Sequence, residues 1–211
     1  IIGGGPAGYV AAIRAAQLGG RVTLIEKDAL GGTCLNRGCI PSKALLHSVG
    51  IYQSIQEAGQ HGINVSEVSI DLAKMMAHKN RIVVQLVGGV QSLLTGNRVE
   101  VIKGTARLNA SRQIEVVDAQ GQKRTFQAKK TIIATGAKPI KLPIPGADSP
   151  TGIIPAEDIL NMTAIPKSLL MIGGGVVGLE MTTILARLGC KVTVVEMLPH
   201  ILPAEDEELT N

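Results

Sequence analysis

The sequence predicts an α/β fold that contains two βαβ units, because one pattern occurs twice along the chain. Residues 3–8 read GGGPAG and residues 173–178 read GGGVVG, so both match G-x-G-x-x-G. The segment QLGGRVTLIE at 17–26 matches RLGCKVTVVE at 187–196, at the same offset of 170 residues as the glycine runs. Each copy therefore contains a short apolar strand, a glycine turn, a helix, a Leu-Gly stop and a β-branched strand that ends in Glu. Two copies in the same register predict strands that alternate with helices.

The glycine spacing in each copy is typical of a dinucleotide-binding turn. The first glycine permits the tight turn, the second lets the backbone approach a pyrophosphate, and the third lets the helix pack on the strand. The helix then offers unpaired N–H groups and the positive end of its dipole to the phosphates. Glu26 and Glu196 each end the second strand, where a carboxylate can accept hydrogen bonds from ribose hydroxyls. The sequence therefore predicts two bound nucleotide cofactors. The glycines assigned to their phosphates are Gly3, Gly5, Gly8, Gly173, Gly175 and Gly178.

The segment between the two copies predicts further helices and strands. Gly19 and Gly189 each follow a predicted helix, where a glycine C-cap is expected. The stretches SKALLHSVGIYQSIQEA (42–58) and SIDLAKMMAHKNRIVVQLVGGVQSLL (69–94) have apolar residues at helical spacing. Short strands with glycine turns at Gly104, Gly121 and Gly136 are predicted in VEVIKGTARL, RQIEVVDAQGQKRTFQA and KKTIIATGAKP.

A proline-rich segment predicts the domain boundary. PIKLPIPGADSPTGIIP (139–155) contains five prolines and interrupts the pattern before the second copy begins. We therefore expect the N-terminal part of one nucleotide-binding domain at 1–143 and the start of a second at 144–211. Because Ile1 stands only two residues before a glycine turn, and PAEDEELTN (203–211) has the composition of a helix start, we expect a fragment of a longer protein.

Composition excludes several classes of function. The net charge is +4, and the chain has one Phe, two Tyr and no Trp, so it lacks the aromatic side chains on which nucleic-acid bases stack. No apolar run is long enough to span a bilayer, and no secretory or transit segment is visible. We therefore expect a cytoplasmic protein that binds neither nucleic acid nor membrane.

The segment GGTCLNRGCIPSK (31–43) contains two of the three cysteines, Cys34 and Cys39. A zinc site would need further ligands at suitable spacing, and Cys190 and the four histidines fall at unrelated places, so no metal is expected. A structural disulfide would close only a small ring, which constrains the unfolded chain little. A redox dithiol fits better, because the pair follows a phosphate-binding unit and lies at a predicted helix start, where the dipole favours a thiolate. Cys190 is expected to be a small buried apolar residue.

The spacing of this pair also predicts an irregular backbone. In an ideal helix, residues five apart have Cα atoms about 8 to 9 Å apart, beyond the ~7 Å reach of a disulfide. The first turn must therefore be distorted around Cys34, and Gly38 makes that easier. We expect the two cysteines within bonding reach at the irregular N-terminal end of the helix that carries Lys43.

Together, the cysteine segment, the paired nucleotide units and TIIATGAKP (131–139) resemble the pyridine nucleotide–disulfide oxidoreductase family. The resemblance covers essentially the whole chain. It implies a glutathione-reductase-like fold for FAD and NAD(P), here truncated. Within the family, the Cys-Ile-Pro-Ser-Lys ending is similar to the dihydrolipoamide dehydrogenases, whereas glutathione reductases usually read Cys-Val-Pro-Lys-Lys.

The resemblance implies roles for particular residues. The first unit would hold FAD and the second NAD, with Glu26 and Glu196 at the riboses. Cys34, Cys39, Lys43 and Glu180 would form the catalytic group, with Lys43 paired to Glu180 beside the flavin ring. The other residues expected at FAD are Gly3, Gly5, Gly8, Thr33, Cys34, Ala106, Thr135 and Gly136, and those at NAD are Gly173, Gly175 and Gly178.

The implied reaction is a relay from a dithiol to NAD+. Reduced lipoamide would attack at an exposed Cys34, and Cys39 would become the thiolate that faces FAD. The implied partners are a lipoyl domain of a 2-oxo-acid dehydrogenase or glycine cleavage complex and a second copy of the full-length protein. The family's C-terminal His base is not among the residues here, so this stretch alone is expected to be inactive. Mercuric reductase, another disulfide reductase of the family, or a non-catalytic flavin-binding subunit are the alternatives.

Overall fold

The computed structural model of the chain describes residues 1–140, 142–147, 149 and 152–210. The fold is mixed α/β, and the predicted fold class is confirmed. The α-helices are α1 (Pro6–Gln17), α2 (Gly32–Arg37), α3 (Cys39–Glu57), α4 (Leu72–Gly96), α5 (Val176–Arg187) and α6 (Glu207–Thr210). The strands are β1 (Thr23–Glu26), β2 (Glu100–Lys103), β3 (Thr105–Leu108), β4 (Ile114–Val117), β5 (Lys123–Phe126), β6 (Ser168–Ile172) and β7 (Lys191–Val195). Short 3₁₀ helices occupy Ala58–His61 and Ala156–Asn161. None of the helices within the described ranges is long and apolar enough to cross a membrane.

The chain forms two compact units. The first contains residues 1–40 and 82–142, and the second contains residues 41–81 and 143–211. The boundary between residues 142 and 143 falls in the proline-rich segment, as the sequence predicted for a domain boundary. Within that segment, the residues outside the described ranges are Lys141, Asp148, Pro150 and Thr151. Asn211, in the predicted C-terminal helix start, also lies outside them. The assignment of 1–143 and 144–211 to two cofactor-binding domains stays a prediction.

The first unit is built on parallel pairing. Strands β1 and β2 pair in parallel from Thr23↔Glu100 to Glu26↔Lys103. On the other side of β1, Ile2 forms parallel bridges to Ile25 and to Ile133. Helix α1 packs against β1 through the buried residues Ala12 and Leu24, whose cluster also takes in Val90 and Leu94 of α4. Strands β3, β4 and β5 form an antiparallel sheet in sequence order.

One predicted strand is much shorter than expected. KKTIIATGAKP contributes only the bridge at Ile133, with hydrogen bonds from the Ile2 N–H to the Ile132 carbonyl and from the Ala134 N–H to the Ile2 carbonyl. The positive φ of Gly3 turns the backbone directly after Ile2, which ends the pairing on that side. The short strand predicted in this segment is therefore reduced to a single bridge.

The second unit repeats this arrangement on a smaller scale. Strands β6 and β7 pair in parallel from Ser168↔Lys191 to Ile172↔Val195, and α5 packs on them. The buried core joins Leu45 and Val49 of α3 to Ile184 and Leu185 of α5. Lys79 of α4 is buried as well, and its ammonium donates to the Leu160 carbonyl at the end of the 156–161 helix.

Both glycine turns have the backbone geometry that the repeat predicts. Gly3 and Gly173 have φ of +105° and +104°, which a side chain would strain. A Cβ at Gly8 would lie 1.8 Å from the Gly3 carbonyl oxygen, and one at Gly178 would lie 2.2 Å from the Gly173 carbonyl oxygen. The predicted C-caps are also confirmed, since Gly19 and Gly189 have φ of +84° and +91°. Each helix therefore begins in direct contact with the turn that follows its strand.

This contact leads to a stability prediction for the purified protein. Gly8→Ala should destabilise it by about 3 kcal/mol, because a methyl group cannot fit beside the Gly3 carbonyl without moving backbone. The matched control is Gly88→Ala in α4, where an added Cβ meets nothing within 4 Å. That substitution should raise the free energy of unfolding by about 0.5–1 kcal/mol. Urea unfolding measures both, and a Gly8→Ala protein as stable as wild type would contradict the close approach.

Candidate functional site

The first glycine turn is held by a carboxylate. The Gly4 N–H donates to Glu26 Oε2 and the Asp28 N–H donates to Glu26 Oε1, each over 2.6 Å. Glu26 is buried, so these bonds satisfy a charge that would otherwise be costly to bury. The sequence predicted only that this carboxylate accepts from a ribose. Because an ionised carboxylate has about four acceptor positions, it can do both.

The second turn repeats the same contact. The Gly174 N–H donates to Glu196 Oε2 over 2.6 Å, and the Leu198 N–H donates to Glu196 Oε1 over 2.9 Å. The Leu198 N–H, and after it the Gly174 N–H, hold the pKa of the Glu196 carboxyl below its ordinary value. A Cβ at Gly175 would meet nothing within 4 Å, so the backbone is open to close approach there.

The cysteine segment packs directly on the first glycine turn. The Gly31 N–H donates to the Gly4 carbonyl over 2.8 Å. A Cβ on Gly32 would lie 2.7 Å from the Gly5 Cα, so the two backbones touch with no room for a side chain between them. Gly31 and Gly32 have φ of +89° and +58°, a pair of left-handed residues that turns the chain into α2. The turn and the segment that carries Cys34 are therefore one rigid backbone arrangement.

Asn36 is a structural residue that the sequence analysis missed. Its Nδ2 donates to the Leu30 carbonyl over 2.9 Å and to the Gly32 carbonyl over 2.8 Å. These two bonds link the carbonyl groups on either side of Gly31, so they stabilise the left-handed turn. Asn side chains commonly bond nearby backbone in turns, so the presence of Asn36 between the two cysteines could have predicted a side chain that stabilises the turn.

The two cysteines lie on successive helices. Cys34 is in α2 and Cys39 is the first residue of α3, with Gly38 between them at φ −140° and ψ −107°. The helix interruption that the spacing requires is therefore confirmed. A Cβ at Gly38 would lie 3.2 Å from the Thr33 carbonyl oxygen and 3.7 Å from the Cys34 Cα, so glycine lets the chain fold back on α2. The disulfide itself stays a prediction.

The relative exposure of the two cysteines differs from the expectation. Cys34 was expected to be the exposed thiol, but it is half-buried, and Cys39 is exposed. The reason is that Cys34 packs against the cluster around Leu35 and Leu94. Cys39 instead is the first residue of α3, at the exposed start of that helix. The division of roles between the two thiols stays a prediction.

Lys43 and Glu180 form an ion pair. Lys43 Nζ lies 2.5 Å from Glu180 Oε1, and Ser42 Oγ donates to Glu180 Oε2 over 3.0 Å. All three residues belong to the second unit. The pairing that the resemblance implies is thus present, while its catalytic use stays a prediction.

The remaining predicted residues fall in two places. Thr135 lies beside the first glycine turn, because a Cβ on Gly3 would be 3.2 Å from the Thr135 Cα, and Gly136 follows with φ +72°. Thr33 precedes Cys34 in α2, next to the same turn. Ala106 lies on β3, paired with Val116 in the antiparallel sheet. The structure therefore brings Gly3, Thr33 and Thr135 to one edge of the first unit, and Ala106 lies on a separate sheet.

No metal-binding cluster is found among the described residues, where no three His, Cys, Asp or Glu side chains come together. Cys190 is buried in the core of the second unit, and burial raises the pKa of its thiol. It therefore has the character of an apolar core residue.

Comparisons with known proteins agree with this geometry. The family model described as pyridine nucleotide-disulphide oxidoreductase matches residues 1–211. The dihydrolipoyl dehydrogenase of Bacillus subtilis is 44% identical over 211 residues, covering 99% of this chain and 46% of that protein. The mitochondrial dihydrolipoyl dehydrogenase of Pisum sativum is 46% identical, covering 99% of this chain and 42% of that protein.

A solved structure is similar as well. The crystal structure of LpdA from Mycobacterium tuberculosis matches with a TM-score of 0.85 and 30% identity, covering 97% of this chain and 46% of that one. The chain thus spans about half the length of the relatives it matches. With its full length matched by the family model, the chain belongs to the pyridine nucleotide-disulphide oxidoreductase family.

Proposed function

We propose that the full-length protein containing this chain is a dihydrolipoyl dehydrogenase. Its overall reaction would be dithiol plus NAD+ giving disulfide, NADH and a proton, so two electrons leave two thiols and reduce one nicotinamide. The single observation that carries the proposal is the packing of Gly32 on Gly5, which joins the Cys34 segment to a dinucleotide-type glycine turn. A redox dithiol built onto a nucleotide-binding turn is the arrangement that thiol-to-nucleotide electron transfer needs.

The residues at the first turn fit FAD. Gly5 and the N-terminus of α1 would face the pyrophosphate, and Glu26 would bind a ribose while holding the turn through Gly4. Thr33 and Thr135 lie beside that turn, in keeping with their expected positions along the cofactor. Ala106, on β3, would lie near the adenine through its backbone. When bound, FAD accepts an electron pair from a thiolate and passes it on as hydride.

The residues at the second turn fit a nicotinamide nucleotide. Gly173, Gly175 and Gly178 form a turn with the same backbone geometry as the first, and the open space at Gly175 suits a phosphate. Glu196 stays ionised through its bonds to the Leu198 and Gly174 N–H groups. An ionised carboxylate accepts from a ribose 2′-OH and repels a 2′-phosphate, so NAD is the expected form.

Within the segment 31–43, Cys34, Cys39 and Lys43 would have different roles. One substrate thiol would attack Cys34 of the Cys34–Cys39 disulfide, forming a mixed disulfide with Cys34 and releasing Cys39 as the thiolate. The second substrate thiol would then displace Cys34 from the mixed disulfide, so that the substrate leaves as a disulfide. Cys39 is the first residue of α3, and its expected role is to face the flavin. Lys43 follows four residues later on the same helix and is paired with Glu180, which keeps a positive charge in place for the reaction.

The partners and location belong to the same proposal. The dithiol would be a lipoyl domain of a 2-oxo-acid dehydrogenase or glycine cleavage complex, since the relatives are named for dihydrolipoyl oxidation. A homodimer of the full-length protein and a cytoplasmic location stay predictions.

Substituting each cysteine in the full-length protein tests the division of roles. Cys34→Ser should keep long-wavelength absorbance from a Cys39 thiolate beside the flavin, because the helix N-terminus favours that thiolate. Cys39→Ser should lose this absorbance and keep a thiol at position 34 that reacts with iodoacetamide. Both should lose dithiol-dependent NAD+ reduction, whereas Cys190→Ser, in the core of the second unit, should retain it. Absorbance retained in Cys39→Ser and lost in Cys34→Ser would reverse the assignment.

Cofactor choice tests Glu196. Glu196→Ala in the full-length protein should lower the ratio of kcat/KM for NAD+ over NADP+ by about tenfold, because the repulsion of a 2′-phosphate is removed. Glu205→Ala is the matched control, since this acid is exposed on the segment that follows. Steady-state kinetics with both nucleotides give the ratio. A ratio equal to that of the Glu205→Ala protein would refute the role of Glu196.

A further inference from the structure

The Glu180 carboxylate is bound by two residues that are adjacent in the chain. Lys43 Nζ lies 2.5 Å from Oε1, and Ser42 Oγ donates to Oε2 over 3.0 Å. We propose that Ser42 is a positioning residue, whose hydroxyl fixes the Glu180 carboxylate so that Oε1 faces Lys43. The use of this ion pair in catalysis rests on the proposed function, whereas the positioning itself concerns only these three side chains.

Ser42 is well placed to act as a fixed anchor. Its exposed fraction is 1%, and the preceding Pro41 is also buried. The helix that carries it is held in the core of the second unit by Leu45 and Val49. The Ser42 side chain is therefore held in place by the packing around it.

The hydroxyl of Ser42 makes a bond that reaches beyond its own helix. Ser48 donates to the Ala44 carbonyl and Ser54 donates to the Gly50 carbonyl, each over 3.0 Å and within the helix. Such bonds to the residue four positions earlier are common for helical serines. Ser42 donates to a carboxylate on α5, and a bond to a charged acceptor is stronger than one to a carbonyl.

A pre-positioned carboxylate changes what the ion pair can do. The Lys43 side chain is 58% exposed, whereas that of Glu180 is 20% exposed. An exposed ion pair contributes little when both long side chains must be ordered at once. Because the bond from Ser42 already orders the Glu180 carboxylate, forming the ion pair requires only the Lys43 side chain to lose conformational freedom.

The test is the rate at which acetic anhydride acetylates Lys43 in the full-length protein, followed by peptide mass spectrometry. Ser42→Ala should raise this rate about threefold at a fixed pH, because a carboxylate that is no longer held in place pairs with the Lys43 amine for less of the time and leaves it open to the reagent. Ser48→Ala, which removes a hydroxyl from the same helix, should leave the rate unchanged. Lys74 is an internal control, because its pair with Asp71 at 3.2 Å lies elsewhere and its side chain is 87% exposed.

A double-mutant cycle separates positioning from a general loosening of the helix. Glu180→Ala should raise Lys43 acetylation at least as much as Ser42→Ala, and adding Ser42→Ala to it should have no further effect. Ser42→Thr, which keeps a hydroxyl, should acetylate at the wild-type rate. The proposal is overturned if Ser42→Ala matches Ser48→Ala, if its effect persists without Glu180, or if Ser42→Thr behaves like Ser42→Ala.

These outcomes are independent of the proposed function. Acetylation of Lys43 requires neither dithiol nor nucleotide, so it reports on the three side chains alone. A wild-type protein that fails to reduce NAD+ with reduced lipoamide would overturn the dihydrolipoyl dehydrogenase activity and leave the acetylation result intact. Conversely, the wild-type protein could reduce NAD+ while Ser42→Ala leaves the acetylation rate of Lys43 unchanged. That result would overturn only the role of Ser42.

Discussion

The close approach of the first and third glycines is the constraint on which both nucleotide-type units depend. The carbonyl oxygens of Gly3 and Gly173 occupy the positions where a Cβ of Gly8 or Gly178 would be. This contact fixes the start of α1 and of α5, which begin directly after Gly5 and Gly175. The same turns present the N–H groups of Gly4 and Gly174, which Glu26 and Glu196 accept. One steric condition thus organises the backbone of both glycine turns and the acids that bond to it.

In the first unit, a second close contact joins the cysteine segment to that turn. Gly32 meets Gly5 without room for a side chain, and Asn36 bonds the backbone of the turn before α2. The helix is interrupted at Gly38, so that Cys39 begins a new helix. The segment that carries Cys34 is therefore positioned by backbone contacts between glycines, which permit less adjustment than contacts between flexible side chains.

Much of this was predictable from the sequence, because the repeat encodes local geometry. The paired glycine turns, the C-caps at Gly19 and Gly189 and the helix break between the cysteines all follow from steric rules that act over a few residues. Contacts between distant segments were not predictable in this way. Residues 41–81 belong with 143–211 because Leu45 and Ile184 share a core, which no linear division of the chain reveals. The half-burial of Cys34 and the bond from Ser42 to Glu180 depend on tertiary packing in the same sense.

We propose that Cys34 and Cys39 form the redox dithiol through which electrons from a substrate dithiol reach NAD+. The decisive measurement is the loss of NADH formation, from reduced lipoamide and NAD+, after the full-length protein is treated with iodoacetamide. The oxidised protein should keep its activity, because a disulfide protects both sulfurs. Protein first reduced by dithiol without NAD+ should be inactivated, with alkylation at Cys34 or Cys39. Activity that survives alkylation of the reduced protein, or that is lost equally from the oxidised protein, would contradict this proposal.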